Sequence, residues 1–517
     1  MSASPVVHHA PSPAGAPRTP RAGRRNSWLL PSLADILLVV FVGILFMRDS
    51  GWLRLLTDGD TGWHIRTGEY ILKNHAVPVS DLFSFTTPGG RWYAWEWLSD
   101  VIFALVHMAG GLKGVALFSG ALITLTMILL FRHMIWRGAS VHVAVLLSIF
   151  VTDTLRLHYL ARPHLFTTLF AVIALWMIDR DWKEPGRGVW LLVPLTVVWT
   201  NLHGGFLVLL TAAGASAVCA LLRRERVRAR RYVALTAACF AATFVNPYGW
   251  QLHRHIWEYL NAGWLIRNID EFRSPFSRPG EFPQFEALLM VGLICTWELL
   301  RRRRYHEALL LVFWAHSALT AARHITIYAL VAAPVLADSL SSLWRTWVRG
   351  SDRGSIRGAL RELVEDLQPA AGWTSVWGPA LFVFFACGSW GIEWPRDFAP
   401  NFPTAMVGRQ AAALNGPGRE GARILTQDIW GGYLDYRFYP NRHVFIDGRS
   451  DYYGYRILQD YVAARAAGER WGELAARYGW DFVLIPPEWP LAKALEKDSA
   501  WQLRDRDKVA LLFERRR

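Results

Sequence analysis

The chain has 517 residues, of which 52% are hydrophobic, with 27 Trp, 27 Phe and a formal net charge of +14. So much apolar and aromatic content excludes an ordinary soluble domain. The positive charge gathers at the ends of apolar segments, as membrane topology signals do, and calls for no nucleic acid.

Residues 1–26 are rich in Pro, Ala, Ser and Arg, and 1–30 are expected to form a disordered cytoplasmic tail. Eleven apolar segments follow: Leu33–Met47, Leu112–Phe131, Val141–Val151, Leu165–Ile178, Val189–Thr200, Phe206–Leu222, Val233–Val245, Ala287–Leu300, Ala308–Leu319, Ile325–Leu340 and Val376–Ile392. They predict a mainly α, polytopic membrane domain of about eleven transmembrane helices over 31–393. Several are shorter than the roughly 20 residues of a perpendicular span, so flanking polar residues must complete them. Val189–Leu222 is barely long enough for two crossings and could instead be a re-entrant hairpin. The first segment lacks a small-residue cleavage site and reads as a retained anchor. Cys219, Cys239, Cys295 and Cys387 all lie in apolar segments, without disulfide or metal-ligand spacing.

Basic residues set the orientation. With the N-terminus inside, the inner segments hold 24 Lys or Arg in 87 residues and the outer ones 11 in 104. Arg223-Arg224-Glu225-Arg226 and Arg301–Arg304 are the strongest inner anchors. By parity, 394–517 lies outside. There Arg423–Thr426, His443–Ile446, Asp481–Ile485 and Val509–Phe513 read as strands. Ile457–Ala466, Trp471–Tyr478 and Leu491–Lys497 have helical spacing, so a small extracytoplasmic α/β domain is expected.

The polar residues that hydropathy leaves unexplained all fall on the outer side. Asp58-Gly59-Asp60-Thr61-Gly62-Trp63-His64 opens the first outer loop, followed by Arg66, Glu69, Asp81, Arg91, Trp95 and Glu96. Arg156, His158, Arg162 and His164 occupy the next outer turn. Asn201-Leu202-His203-Gly204-Gly205, Asn246-Pro247-Tyr248-Gly249-Trp250 and Arg323-His324 occupy three more. Ionisable groups at membrane depth are costly, and five outer ends carrying them suggest one shared cavity. Each motif also has a structural reading. Asp60 could cap a helix starting at Thr61; Arg162-Pro163 could mark a helix start; Asn246-Pro247-Tyr248-Gly249 and His203-Gly204-Gly205 could be tight turns. Asp447-Gly448-Arg449-Ser450-Asp451 and Gln427-Asp428-Ile429-Trp430-Gly431-Gly432-Tyr433 could be turns or substrate contacts. Gly-x-Ser-x-Gly, His-Glu-x-x-His and Walker patterns are absent, which argues against hydrolase, zinc-peptidase and ATP-driven transporter readings.

A retained first helix, an acidic pair in the first outer loop, about eleven spans and an outer C-terminal domain resemble the GT-C superfamily of membrane glycosyltransferases. Asp58–Glu69, Arg162-Pro163-His164, Asn201–Gly205, Asn246–Trp250, Ala322-Arg323-His324 and Phe445-Ile446-Asp447-Gly448-Arg449 resemble, more narrowly, a bacterial family of multi-span glycosyltransferase-like proteins. The resemblance implies transfer of a sugar from a polyprenyl-phosphate or polyprenyl-diphosphate donor to an envelope acceptor, at the outer face of the bacterial cytoplasmic membrane. It assigns Asp58 and Asp60 to catalysis, a carboxylate taking the acceptor's proton. His64, Arg66, Arg162, His164, His203, Arg323 and His324 would contact substrate, cations steadying the leaving phosphate. The acidic pair could also hold a divalent cation. The expected partners are the polyprenyl-linked donor and membrane lipid. Two rival functions are a non-catalytic GT-C-like scaffold binding a glycan or lipid intermediate, and a transporter of lipid-linked sugars. A transporter would place its ionisable groups near mid-membrane, not at outer helix ends.

Overall fold

The computed structural model describes residues 27–47, 51–373, 375–388, 390–417, 419 and 421–516. Of the tail expected over residues 1–30, residues 1–26 lie outside them, while Ser27–Leu29 form a short 3-10 helix. The structure is mostly helical, at 68%, with one small sheet near the C-terminus. Numbering helices of eight residues or more, the first is α1 (Leu33–Phe46). It starts on a capping box, in which Ser32 Oγ accepts from the Asp35 N–H at 3.3 Å and Asp35 accepts from the Ser32 N–H at 2.6 Å.

Next come α2 (Asp60–Asn74), α3 (Trp97–Trp136), α4 (Val141–Thr154), α5 (His164–Lys183), α6 (Leu192–Leu202) and α7 (Leu207–Leu222). After them lie α8 (Arg226–Ala242), α9 (Trp250–Leu260), α10 (Pro283–Arg301), α11 (Tyr305–Thr320), α12 (Ile325–Trp347), α13 (Ile356–Gly372) and α14 (Trp377–Cys387). All eleven apolar segments fall on helices, but helix length does not establish eleven crossings. Among the described residues five helices are long and apolar enough to span a membrane: Trp97–Trp136, Val141–His158, Gly204–Leu222, Pro283–Arg301 and Ala322–Trp347. The pair α13 and α14, bent by 75°, makes a sixth if it is one broken span. The remaining apolar helices are too short or too polar at their ends, as with α1 at 14 residues.

The third helix begins 15 residues before the apolar run that revealed it. Gly111, at φ 58°, breaks its regularity in a left-handed conformation natural to glycine. The amphipathic stretch ahead of that break therefore belongs to the helix and brings Glu96 and Asp100 to its start.

The C-terminal part contains β1 (Arg423–Thr426), α15 (Asp428–Phe438), β2 (His443–Val444), α16 (Ser450–Arg465), α17 (Trp471–Tyr478), β3 (Phe482–Ile485), α18 (Pro490–Lys497), β4 (Trp501–Arg506) and β5 (Leu511–Arg515). The strand order is β2-β1-β3-β5-β4; β1 is parallel to β2 and β3, and β5 is antiparallel to β3 and β4. The loop between α2 and α3 extends this sheet, since Val444 N–H donates to Phe83 O (3.0 Å) and Phe85 N–H to Val444 O (3.1 Å). Strand alternation sends Ile424, Phe482, Leu484 and Leu512 into a core continuous with the helices. Leu425, Val483, Ile485 and Phe513 pack on the other face with Tyr453 and Trp480.

The polar residues are not confined to one end of the bundle. At the end of α5 opposite His164, Asp179 pairs with Arg137 and accepts from His133 Nε2 at 2.8 Å. Arg137 also pairs with Glu307, and Arg304 binds Glu307 and, at 2.6 Å, Asp338. This second cluster corrects the expectation of one-sided polarity. Its charges pair across α3, α5, α11 and α12, so each is compensated where lipid could not solvate it.

Candidate functional site

The acidic pair lies where the C-terminal domain meets the helix bundle. α2 begins at Asp60, but Asp60 does not cap it. Gly59 holds the cap position, and Asp58 Oδ1 accepts the Asp60 N–H at 2.9 Å. The capping role expected of Asp60 thus falls largely to Asp58, leaving the Asp60 carboxylate to accept from Trp63 Nε1 at 3.1 Å. Glycines permit the docking. A Cβ on Gly59 would stand 1.8 Å from Ile429 O, one on Gly62 2.2 Å from Gly432 O, and one on Gly448 1.8 Å from Asp60 Oδ1. Gly431-Gly432 belongs to α15, and Gly448 belongs to the turn after β2.

Arg162 closes the pair. Its Nη1 lies 3.0 Å from Asp58 Oδ2 and its Nη2 2.8 Å from Asp60 Oδ2. Pro163 precedes α5 at its cap position, and Thr61 Oγ1 donates to Ala161 O at 2.9 Å, fixing this turn against α2. Burial pushes the Asp60 carboxyl up to about 7, against the pull of Arg162. Arg323 pairs with Glu271 at 3.5 Å and lies over the Phe272 ring. His158 shares a hydrogen bond with Thr326 (2.7 Å), while His164 Nε2 donates to His158 O (2.7 Å). The His164 ring is 6.5 Å from His203.

Behind Asp60, one helical turn on, His64 is fully buried. Its Nδ1 is 2.5 Å from Asp100 Oδ1, its ring centroid lies 3.6 Å from that of Trp63 with the planes tilted by 35°, and its Nε2 faces Glu96 Oε2 at 3.6 Å without a hydrogen bond. Glu96 Oε1 faces His203 Nε2 at 3.4 Å. His203 Nδ1 accepts from the Gly205 N–H at 3.0 Å, so the neutral ring carries its proton on Nε2. Trp97 Nε1 donates to Asn201 Oδ1 (2.7 Å) and Ser99 Oγ to Leu202 O (2.6 Å), pinning the start of α3 to this turn. Burial pushes Glu96 up to about 8 and holds His64 well below the usual histidine range.

The structure brings Asp58, Asp60, Arg162, His164, His203 and Arg323 around one region and sets His64 behind it. Arg66 is engaged elsewhere: it donates to Tyr436 O and pairs with Glu69 at 2.5 Å, joining α2 to α15. His324 Nδ1 bonds Ser317 O at 3.0 Å. Sequence reasoning noted Glu96 among the outer polar residues and Gly448 within a turn motif without giving either a role of its own, and did not single out Asp100 or Glu271. The hydropathy onset at Leu112 concealed Asp100, and Glu271 sits in a loop with no motif. Among the described residues, no group of three or more His, Cys, Asp or Glu is disposed to hold a metal ion. Arg162 takes the place between Asp58 and Asp60, so these residues do not fit the divalent cation considered from sequence.

No protein-family model matches the chain, and no curated protein matches it in sequence. Among solved structures, it superposes on the apo oligosaccharyltransferase of Archaeoglobus fulgidus with TM-score 0.58 and 11% identity, over 88% of this chain and 69% of that one. The chain is similar to an oligosaccharyltransferase in fold. The same archaeal enzyme tethered to an acceptor peptide with the NVT sequon gives TM-score 0.52 and 12% identity, over the same shares. At such identity the likeness is one of architecture, and the chemistry must be argued from the site.

Proposed function

We propose that the protein is a membrane glycosyltransferase of GT-C type, moving a sugar or glycan from a polyprenyl-(di)phosphate donor to an envelope acceptor on the outer face of the bacterial cytoplasmic membrane. The observation that carries this reading is Arg162 held between Asp58 and Asp60 at the junction of bundle and C-terminal domain. The arginine is a bidentate phosphate ligand in waiting, and its transfer to a phosphate would free a carboxylate for the acceptor's proton. Arg323, which faces Glu271 at 3.5 Å, is a second cation for the leaving group. The oligosaccharyltransferase-like fold supports the same reaction class by analogy.

Asp→Asn tests it, because the amide keeps size and hydrogen bonding but cannot take a proton near neutral pH. Asp58→Asn and Asp60→Asn should each reach normal membrane levels and lose about 10²–10⁴-fold in transfer. A double variant that fully complements a deletion strain would leave the carboxylates without chemistry and favour the non-catalytic scaffold.

A further inference from the structure

The helix α13 presents three different faces. Toward the bundle, Gln368 accepts from the Val141 N–H at 2.8 Å and donates to Ala139 O at 3.0 Å, Val364 packs on the core and Ala371 is buried. Away from the bundle, Ile356, Leu360, Leu363 and Leu367 recur at helical spacing and are between 40% and 82% exposed. The third face carries Glu362, Glu365 and Asp366. There Arg353 pairs with Glu362 at 3.1 Å and Arg361 with Glu365 at 3.8 Å, so most of its charge is answered locally. The core thus lies on one side of α13, and its apolar stripe points elsewhere. A contiguous apolar stripe left outside the core marks a surface that something else covers.

Its place in the fold says what covers it. α3 starts beside the site and ends at Trp136, and the turn that follows holds both hydrogen bonds of Gln368, so α13 lies at the end of the bundle away from Asp60. Arg345 donates to Gly138 O in the same turn at 3.1 Å. Each end of α13 meets an exposed tryptophan on a lipid-facing helix. At its start, Arg357 lies 4.9 Å over the ring of Trp347, which ends α12, a helix long and apolar enough to span a membrane. At its other end the chain bends by 75° into α14, where Trp377 Nε1 donates to Leu29 O at 2.7 Å, beside Trp28. Trp28, Trp347 and Trp377 are all exposed, and tryptophan gathers where hydrocarbon meets water. The stripe is therefore continuous at both ends with the lipid-facing surface. Arg349 and Arg357 are exposed here, and among the described residues neither has a carboxylate partner. Unpaired cations beside an apolar stripe complement a leaflet of anionic phospholipid.

We propose that α13 is an in-plane membrane helix that binds the anionic phospholipid leaflet at the end of the bundle opposite the site. Ile356, Leu360, Leu363 and Leu367 sink roughly 5–10 Å into the boundary of headgroups and acyl chains. Arg349 and Arg357 hold lipid phosphates at headgroup level, as guanidinium groups do. The acids of α13 face water, away from the lipid phosphates. The bend between α13 and α14 is then where the chain leaves the membrane surface and enters the bilayer. The lipid surface belongs to the fold, whatever reaction the site performs.

Nitroxide labels on the full chain in phosphatidylglycerol nanodiscs provide the test, with the exposed Cys387 changed to Ser. Labels at Leu360→Cys and Leu363→Cys should be relaxed more by oxygen than by a water-soluble nickel chelate, and labels at Glu365→Cys and Asp366→Cys more by nickel. Nickel dominating at all four positions would put the stripe in water and overturn the proposal. Exclusion of both reagents at Leu360 and Leu363 would mean that a protein or a second copy covers the stripe, which overturns it equally. Should these variants not accumulate, wild-type protein decides the same point: phospholipid carrying a diazirine on its acyl chain should form adducts within residues 356–367. Adducts on α12 with none on that segment would contradict the in-plane helix. In mixed nanodiscs, phosphatidylglycerol should label the segment in preference to phosphatidylcholine. The double variant Arg349→Gln, Arg357→Gln should cut that preference about fivefold or more. A preference that ignores both substitutions would overturn the binding of anionic headgroups.

Discussion

Arg162 and Arg449 each sit between two aspartates, and they differ in what surrounds them. Arg449 binds Asp447 (2.6 Å) and Asp81 (2.7 Å), with side-chain exposures of 1% for the arginine and 0% for both acids. The rings of Phe83, Trp92, Tyr452 and Tyr453 cage its guanidinium. Arg162 binds Asp58 and Asp60 at similar distances but is 28% exposed, and Asp58 is 19% exposed. The same triad of charges is therefore a lock in one place and an exchangeable set in the other. Arg449 is closed off by its partners and fastens the loop between α2 and α3 to the C-terminal domain; in the proposed reaction Arg162 trades a carboxylate for a phosphate. Burial, more than the pattern of residues, separates structure from function here.

The comparison can be broken first at the closed triad. Arg449→Ala leaves two buried carboxylates without their cation, a loss of about 3–5 kcal/mol. Thermal unfolding in detergent should show a large destabilisation, and a variant as stable as wild type would deny Arg449 its fastening role. A smaller, purely functional effect is expected at the join between the triads. Gly448→Ala puts a methyl group where Asp60 Oδ1 stands, forcing that carboxylate aside. Displacement of about 1 Å can cost about 10²-fold in rate. Transfer should fall by that order while Gly472→Ala, with open space around it, stays near wild type. Equal activities would show that Asp60 need not be held in place. The mildest effect is that of pH. Asp60 must be ionised to take a proton, and burial sets its carboxyl at about 7. Activity should fall as pH drops through 7, and a rate flat from about pH 6 to 8 would remove Asp60 from the base role.

Much of the site was legible from sequence because its residues break the hydrophobic pattern. Asp58, Asp60, Arg162, His203 and Arg323 all interrupt or flank apolar runs at turns, where a charge has no topological use. Asp100 was hidden because α3 begins well before its apolar stretch, and hydropathy registers apolar runs, not helix starts. Gly431-Gly432 disguised α15 as a turn; those glycines serve a close helix approach to Gly59 and Gly62. The strand β4 was missed because Gln502, Leu503 and Arg504 are all exposed, so no buried–exposed alternation marks it. Arg449 and Asp81 could not be paired from sequence, being 368 positions apart with only a turn motif at one end.

The central claim is that Arg162 exchanges its carboxylates for a lipid-borne phosphate, and binding tests it most directly. Wild-type protein in nanodiscs should bind a polyprenyl diphosphate. Arg162→Lys, which keeps the charge and loses the planar fork, should weaken that binding at least about tenfold. Arg254→Gln, at an exposed ion pair on α9, should leave it unchanged. Equal affinity in the wild type and in Arg162→Lys, at equal protein levels, would contradict the account.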